Sequence, residues 1–139
     1  MNATPDTRAY LNEYGIRPSV QRIAVMNYLL HHRTHPTAEE IYQALAPEMP
    51  TLSRTTVYNT LELLVARGAV IHLTIDPRFS RYDGDISLHG HFLCDHCGTL
   101  YDVPLKTLPE ALYPKEHRVN SAQLYYRGTC AHCSQENKQ

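Results

Sequence analysis

Two short-spaced pairs of cysteines constrain this chain more than any other feature. Cys94-x-x-Cys97 and Cys130-x-x-Cys133 are separated by 32 intervening residues, and all four thiols lie after position 93 of 139. A two-residue spacer lets both thiolates of a pair reach one tetrahedral ion, and four soft donors favour Zn(II). Gly98 follows the first pair and supplies the tight turn that such a knuckle needs. Disulfides are the competing reading. The first fifteen residues, MNATPDTRAYLNEYG, lack the apolar core of a secretory signal. A cytoplasmic, reducing setting is therefore expected, which favours zinc over disulfides. On the same ground the Asn2-Ala3-Thr4 sequon reads as chance. The wide separation of the pairs means that zinc would fasten a late segment to the start of its domain, a staple that small domains need.

Charge and hydropathy narrow the class. Thirteen Lys and Arg face 14 Asp and Glu, which excludes both a disordered polyelectrolyte and a globally basic nucleic-acid binder. No apolar run reaches 18 residues, so no membrane span is expected. At 42% hydrophobic residues, the chain has room for one large domain or two small ones. The Asp83-Gly84-Asp85 turn signal places a boundary between a domain of residues 1–83 and one of residues 84–139.

The first half reads as helices followed by a hairpin. Thr4 to Tyr14 forms a short polar helix ended by Gly15. A second helix starts at Arg17-Pro18-Ser19, with Val20, Ile23, Ala24 and Leu30 at helical spacing. Thr37 and Glu40 fit a capping box that opens a third helix, with Ile41, Ala44 and Leu45 on one side. Ser53 caps a fourth, Arg54 to Arg67, which buries Val57, Leu61 and Leu64 and ends at Gly68. Val70 to Ile75 then alternates as a strand, Asp76-Pro77-Arg78 turns, and Phe79 to Asp83 returns. Helices followed by a hairpin suggest a winged helix-turn-helix. Arg54, Thr55, Tyr58, Asn59 and Glu62 then form the outer face of its fourth helix. Such a helix can enter a DNA major groove, where Arg and Asn make bidentate contacts to base edges. An ordinary amphipathic helix with a solvated polar face is equally compatible with the pattern.

The second half holds another donor set. His89-Gly90-His91 puts two imidazoles on one face of an extended strand. Asp102 follows in Thr99 to Val103, a neighbouring strand. Two nitrogens and a carboxylate suit Fe(II), Mn(II) or Zn(II) without thiolate. Any one of these His alone is more simply a surface residue; His-x-His directly before a CxxC is harder to dismiss. The stretch from His117 to Tyr126 is read as an amphipathic strand at a dimer interface.

Together the motifs resemble one family. HPTAEEIY (35–42), SRTTVYNTLELLVARG (53–68), SRYD (80–83), HGHFLCDHCG (89–98), YD (101–102) and CAHC (130–133) stand in the order found in ferric uptake regulators. The match covers essentially the whole chain. It implies an α+β protein with an N-terminal winged-helix DNA-binding domain and a small α/β dimerisation domain carrying the four-cysteine zinc site. It also implies a homodimer on double-stranded operator DNA, with no enzymatic activity and no organic substrate. Carried over by motif, the regulatory site is His35, Asp83, His89, His91 and Asp102, holding Fe(II) or Mn(II). His35 and Asp83 come from the resemblance and could not be joined to the site by spacing.

Within the family the sequence leans toward peroxide sensors. Asp stands at 83 and 102, where iron-sensing members usually have Glu, and Asn59 follows Tyr58, where many have Arg. The resemblance then implies oxidation of His35 and His89 to 2-oxo-histidine. Three alternatives stand beside this reading. They are an iron-availability regulator, a non-haem iron oxygenase built on two His and an Asp, and a zinc-ribbon interaction module without a sensing role.

Overall fold

The computed structural model describes residues 6–107 and 109–136. The chain divides into two compact units, Met1–Ile86 and Ser87–Gln139. The sequon and the first two residues of the expected opening helix, Thr4 and Pro5, lie outside the described residues.

The first unit starts with four helices: α1 (Thr7–Glu13), α2 (Val20–His31), α3 (Ala38–Leu45) and α4 (Arg54–Ala66). Their ends are set by local chemistry. Asp6, Ser19 and Ser53 each accept a backbone N–H from the first turn of α1, α2 and α4. Thr37 and Glu40 complete the capping box of α3, at 3.1 and 3.0 Å. Gly15 and Gly68, at φ 70° and 79°, close α1 and α4 in the same way. In each case the glycine N–H bonds back three residues and the next N–H bonds back five, to Leu11 and Leu64. The residues after the glycines, Ile16 and Ala69, are buried.

Leu11, Val25, Met26, Leu29, Ile41, Val57, Leu61 and Leu64 are fully enclosed in one core. Each buried side chain of this size contributes about 1.5–3 kcal/mol. On α2, Ile23 and Leu30 pack against the core as the spacing suggested, but they lie at its edge and Val20 lies outside it. Val20 is 73% exposed, and Val25, Met26 and Leu29 go inward. This helix is apolar nearly all round, so periodicity does not select its inner face, and Val20 sits in the first turn, clear of the core. On α3, Ile41 is buried and Leu45 packs against the core as expected, but Ala44 is exposed and Ala38 is buried in its place.

A two-stranded antiparallel hairpin completes the unit: β1 (Ile71–Leu73) and β2 (Arg81–Asp83), with His72 opposite Tyr82. Both strands are shorter than the alternation implied. Asp76 is buried and gathers the intervening loop around its carboxylate instead of leaving it to extend the ladder.

The second unit is a three-stranded mixed sheet. Its centre, β3 (His89–Cys94), pairs antiparallel with β4 (Leu100–Pro104) and parallel with β5 (Tyr125–Gly128). The helix α5 (Ala131–Glu136) follows. The strand expected over His117 to Tyr126 forms only from Tyr125 onward. Lys115 to Gln123 is nearly all polar, with no apolar alternation to hold it on a sheet.

Candidate metal centres

The cysteines are assembled by the parallel pairing of β3 and β5. Cys94 stands opposite Gly128, so Cys130, two residues further on, arrives beside Cys94 across 35 intervening positions of chain. The Asp95 N–H donates to the Gly128 carbonyl at 2.7 Å and fixes this junction. Gly98, at φ 77°, turns the first knuckle, and its N–H returns to the Cys94 carbonyl at 2.9 Å. One sulfur from each of Cys94, Cys97, Cys130 and Cys133 lies within 4.8 Å of the others.

The spacing distinguishes the two readings of these thiols. Cys97 Sγ and Cys130 Sγ are 3.8 Å apart, and all four cysteines are free. A disulfide needs about 2.05 Å. Four sulfurs about 2.3 Å from a tetrahedral zinc stand about 3.8 Å apart. Backbone N–H groups already face the sulfurs: Cys97 and Cys130 donate to Cys94, and Cys133 donates to Cys130. The Cys97 and Cys130 amides hold the Cys94 thiol down at about 6. The Cys133 amide, then the Tyr101 hydroxyl, lower Cys130. Burial pushes Cys133 up, as does its contact with Cys130, so its thiolate is favoured only against a cation. The four-cysteine site fits structural zinc.

The His and Asp donors form one group in each unit. In the first, His35 Nε2 lies 3.6 Å from Asp83 Oδ2, and both residues are buried. His35 follows α2 with φ 55°, a left-handed conformation that costs a non-glycine residue about 1–3 kcal/mol. Two bonds to β2 hold this corner: Arg81 donates to the His35 carbonyl at 3.1 Å, and the Tyr82 N–H to the Pro36 carbonyl at 3.0 Å. On the other side of the pair, Asp83 Oδ1 accepts the Asp85 N–H at 2.9 Å. Gly84 between them passes so close to α2 that a Cβ there would meet the Leu29 carbonyl oxygen at 2.6 Å.

In the second unit, His89 Nε2 and His91 Nε2 lie 3.4 and 3.5 Å from the same Asp102 oxygen. His91 is opposite Asp102 in the β3–β4 register, and His89 is two residues away on the same face. Gly90 between them lies against Leu124, where a Cβ would come within 3.3 Å. His89 Nδ1 is 2.7 Å from the Ser87 carbonyl, which can only accept, so Nδ1 carries a proton. In the neutral ring the Nε2 lone pair then faces the Asp102 carboxylate. Two acceptors so placed suit a shared metal cation. Separations of 3.4–3.6 Å are long for a charge-assisted hydrogen bond. Ligands about 2.1 Å from one shared ion stand about 3.0–3.4 Å apart, between octahedral and tetrahedral angles. These imidazole and carboxylate donors fit Fe or Mn.

Arg54, Thr55, Tyr58, Asn59 and Glu62 all occupy the exposed face of α4. Sequence reasoning missed that Arg54 is already engaged. Its guanidinium holds Glu39 of α3 through three contacts of 2.9–3.2 Å and stacks 4.4 Å above Tyr42. This contact keeps the Glu39 carboxyl at about 2. Arg81 and Asp76 were also missed. Arg81 stands two residues before Asp83 on β2, which was the available signal that both serve one face.

The family model described as the ferric uptake regulator family matches residues 13–126. The chain belongs to that family. Among curated members, the peroxide-responsive repressor PerR of Staphylococcus epidermidis is 36% identical over 132 residues, covering 92% of this chain and 88% of that protein. PerR of Staphylococcus aureus is 37% identical over 129 residues, covering 90% and 87%. Among solved structures, the ferric uptake regulator of Helicobacter pylori shares the fold with a TM-score of 0.71 at 20% identity, covering all of both chains. PerR of Streptococcus pyogenes, a structure described as the basis for peroxide sensing and gene regulation, gives 0.53 at 28% identity, covering 96% of this chain and 94% of that one. Among the described residues of this family member, no helix is long and apolar enough to cross a membrane.

Proposed function

We propose that this chain is a dimeric, metal-dependent transcriptional repressor that senses peroxide through its own histidine ligands. One observation carries the reading. Each unit brings imidazole nitrogen and carboxylate oxygen to metal-sharing distance, His35 with Asp83 and His89 and His91 with Asp102. Neither group includes a thiolate, and both carboxylates are aspartates. The kinship to proteins named peroxide-responsive repressors supports the same reading.

In this account residues 1–83 are a winged-helix DNA-binding domain. The β1–β2 hairpin is its wing, and Arg54, Thr55, Tyr58 and Asn59 of α4 read double-stranded operator DNA. Residues 84–139 are the dimerisation domain, stapled by zinc on Cys94, Cys97, Cys130 and Cys133. A single Fe(II) or Mn(II) joins His35, Asp83, His89, His91 and Asp102. It binds the DNA-competent arrangement better than any other and so shifts the population toward it. A tenfold preference corresponds to about 1.4 kcal/mol, and a clean switch needs several times that.

Fe(II), when bound, would lend the electron that splits the O–O bond and recover it from the oxidised ring, so that H₂O₂ is the net two-electron oxidant. His35 or His89 gains one oxygen from the peroxide at a ring carbon, and the other oxygen leaves as water. The resulting 2-oxo-histidine carries its nitrogens as amide-like N–H groups, whose lone pairs are delocalised. Such a ring ligates poorly, the joined state is lost, and DNA is released. Mn(II) in the same donors supports DNA binding without the oxidation.

The test loads the zinc-containing protein with Fe(II) or Mn(II), adds H₂O₂, and follows operator binding and peptide mass together. A gain of one oxygen on His35 or His89 with loss of DNA, in the iron form alone, is expected. Equal insensitivity of both forms rules out peroxide sensing. That outcome favours an iron-availability regulator.

A further inference from the structure

One network in the first unit runs from the His35 corner to the tip of the hairpin. Arg81 is its centre, with a side chain only 16% exposed. Its NH1 donates to the His35 carbonyl at 3.1 Å, and its Nε and NH2 each lie 3.2 Å from Asp76 Oδ2. The Asp76 side chain is fully buried. Its Oδ1 accepts the Arg78 backbone N–H at 2.9 Å and the Arg78 Nε at 3.2 Å, and Oδ2 accepts Arg78 NH2 at 3.3 Å. The Arg78–Phe79 tip is thereby organised from inside. Phe79 is 55% exposed, and both tip residues line a cleft of about 580 Å³ together with Glu39 and Tyr58.

A buried carboxylate fully occupied by two arginines is a rigid joint. At the other end the joint grips the carbonyl of the one described non-glycine residue at positive φ. Such strain persists where the surroundings over-determine it, commonly at ligand clamps. Arg33 and Arg127, by contrast, each pair with a single exposed or half-exposed carboxylate.

We propose that Arg81 and Asp76 are positioning residues that couple the metal ligand His35 to the 76–80 loop, so that a divalent cation on the His35–Asp83 pair stiffens the hairpin tip. The proposal rests on the His35–Asp83 assignment of the preceding section. It adds a route by which metal occupancy reaches the DNA-facing side of the first unit through that unit alone. By linkage, whatever the tip binds then raises metal affinity by the same factor.

Hydrogen exchange reads the joint directly, because the Arg78 and Tyr82 amides both bond within it. Full-length, zinc-loaded protein is compared with and without Mn(II), as wild type, Arg81→Lys, Asp76→Asn and the outlying control Arg67→Gln. Lysine keeps the charge but cannot span both acceptors. Zinc content and helical circular dichroism establish that each variant is folded. In wild type and Arg67→Gln, Mn(II) slows exchange across residues 76–82 about tenfold; in Arg81→Lys and Asp76→Asn the slowing falls below about twofold while Mn(II) still binds. No slowing in wild type, or equal slowing in Arg81→Lys, overturns the proposal.

A second arm uses a duplex selected by the Mn(II)-loaded wild type from a random pool. Arg81→Lys reduces the gain in DNA affinity that Mn(II) confers. Equal weakening with and without Mn(II) would mark a merely structural wing and overturn the coupling. If wild type selects no duplex, the repressor reading fails, and the exchange arm still decides the coupling.

Discussion

An alanine at position 84 would bring its Cβ to 2.6 Å from a backbone oxygen of α2, which cannot rotate away. The turn that carries Asp83 must then lift off Leu29. Gly84→Ala is expected to cost about 1–3 kcal/mol, the range for overpacking. It should also weaken Mn(II) binding, because Asp83 moves with the turn. Thermal denaturation and Mn(II) titration of the same preparation check both, and a variant with wild-type values for each would separate the glycine from the site. At Asp102 the change is one of reach. A single oxygen of this carboxylate faces both His89 and His91, and its side chain is 45% exposed. Asp102→Glu adds a methylene between the backbone and the carboxylate. On the proposed function, metal binding is retained while iron-dependent oxygen uptake by His35 and His89 slows, as mass spectrometry after H₂O₂ would show. Unchanged oxidation kinetics would count against a role for the shorter carboxylate.

Among the elements, most helix ends were legible and strand ends were not, for a physical reason; the exception is the start of α1, expected at Thr4 but set at Thr7 by the Asp6 cap. A cap is decided by a few adjacent residues. Thr37 with Glu40, Ser53 before α4, and Gly15 and Gly68 after their helices all fall where the sequence puts them. Thr37→Ala removes one half of the capping box and should cost about 1 kcal/mol, with zinc content unchanged. A melting temperature equal to wild type would show that α3 is held by packing alone. A strand depends on partners remote in sequence, so β5 begins eight residues later than its own pattern suggested. The site divides in the same way. CxxC and His-x-His are local and were read directly. His35 was not, because what brings it to Asp83 is a corner at positive φ pinned by β2, and nothing adjacent in sequence announces that conformation. Arg54 stands on the exposed face as expected, but its pairing with Glu39 depends on how α3 meets α4.

The two units hold themselves together by different means, and the difference predicts how the whole molecule comes apart. The first has an aliphatic core drawn from all four helices and the hairpin. In the second, the buried cluster around the knuckles consists of Cys94, Cys130 and Cys133, with Phe92 packed against it. Thiols at metal-sharing distance are poor substitutes for hydrocarbon. Structural zinc sites supply folding free energy outright, about 10–16 kcal/mol of apparent binding energy in zinc-finger peptides. A strong chelator, or Cys130→Ser, should therefore unfold the second unit and leave the first intact. Circular dichroism would keep most of its helical signal, because α1 to α4 lie in the first unit. Hydrogen exchange would collapse across residues 87–136 and persist at the core amides of α2 and α4. On the proposed function, DNA binding and dimerisation would be lost together, although Arg54, Thr55, Tyr58 and Asn59 keep their helix. Retained protection of β3 in zinc-free protein would show that the sheet stands by its own pairing. Loss of protection in α2 and α4 as well would show that the two units fold as one cooperative body.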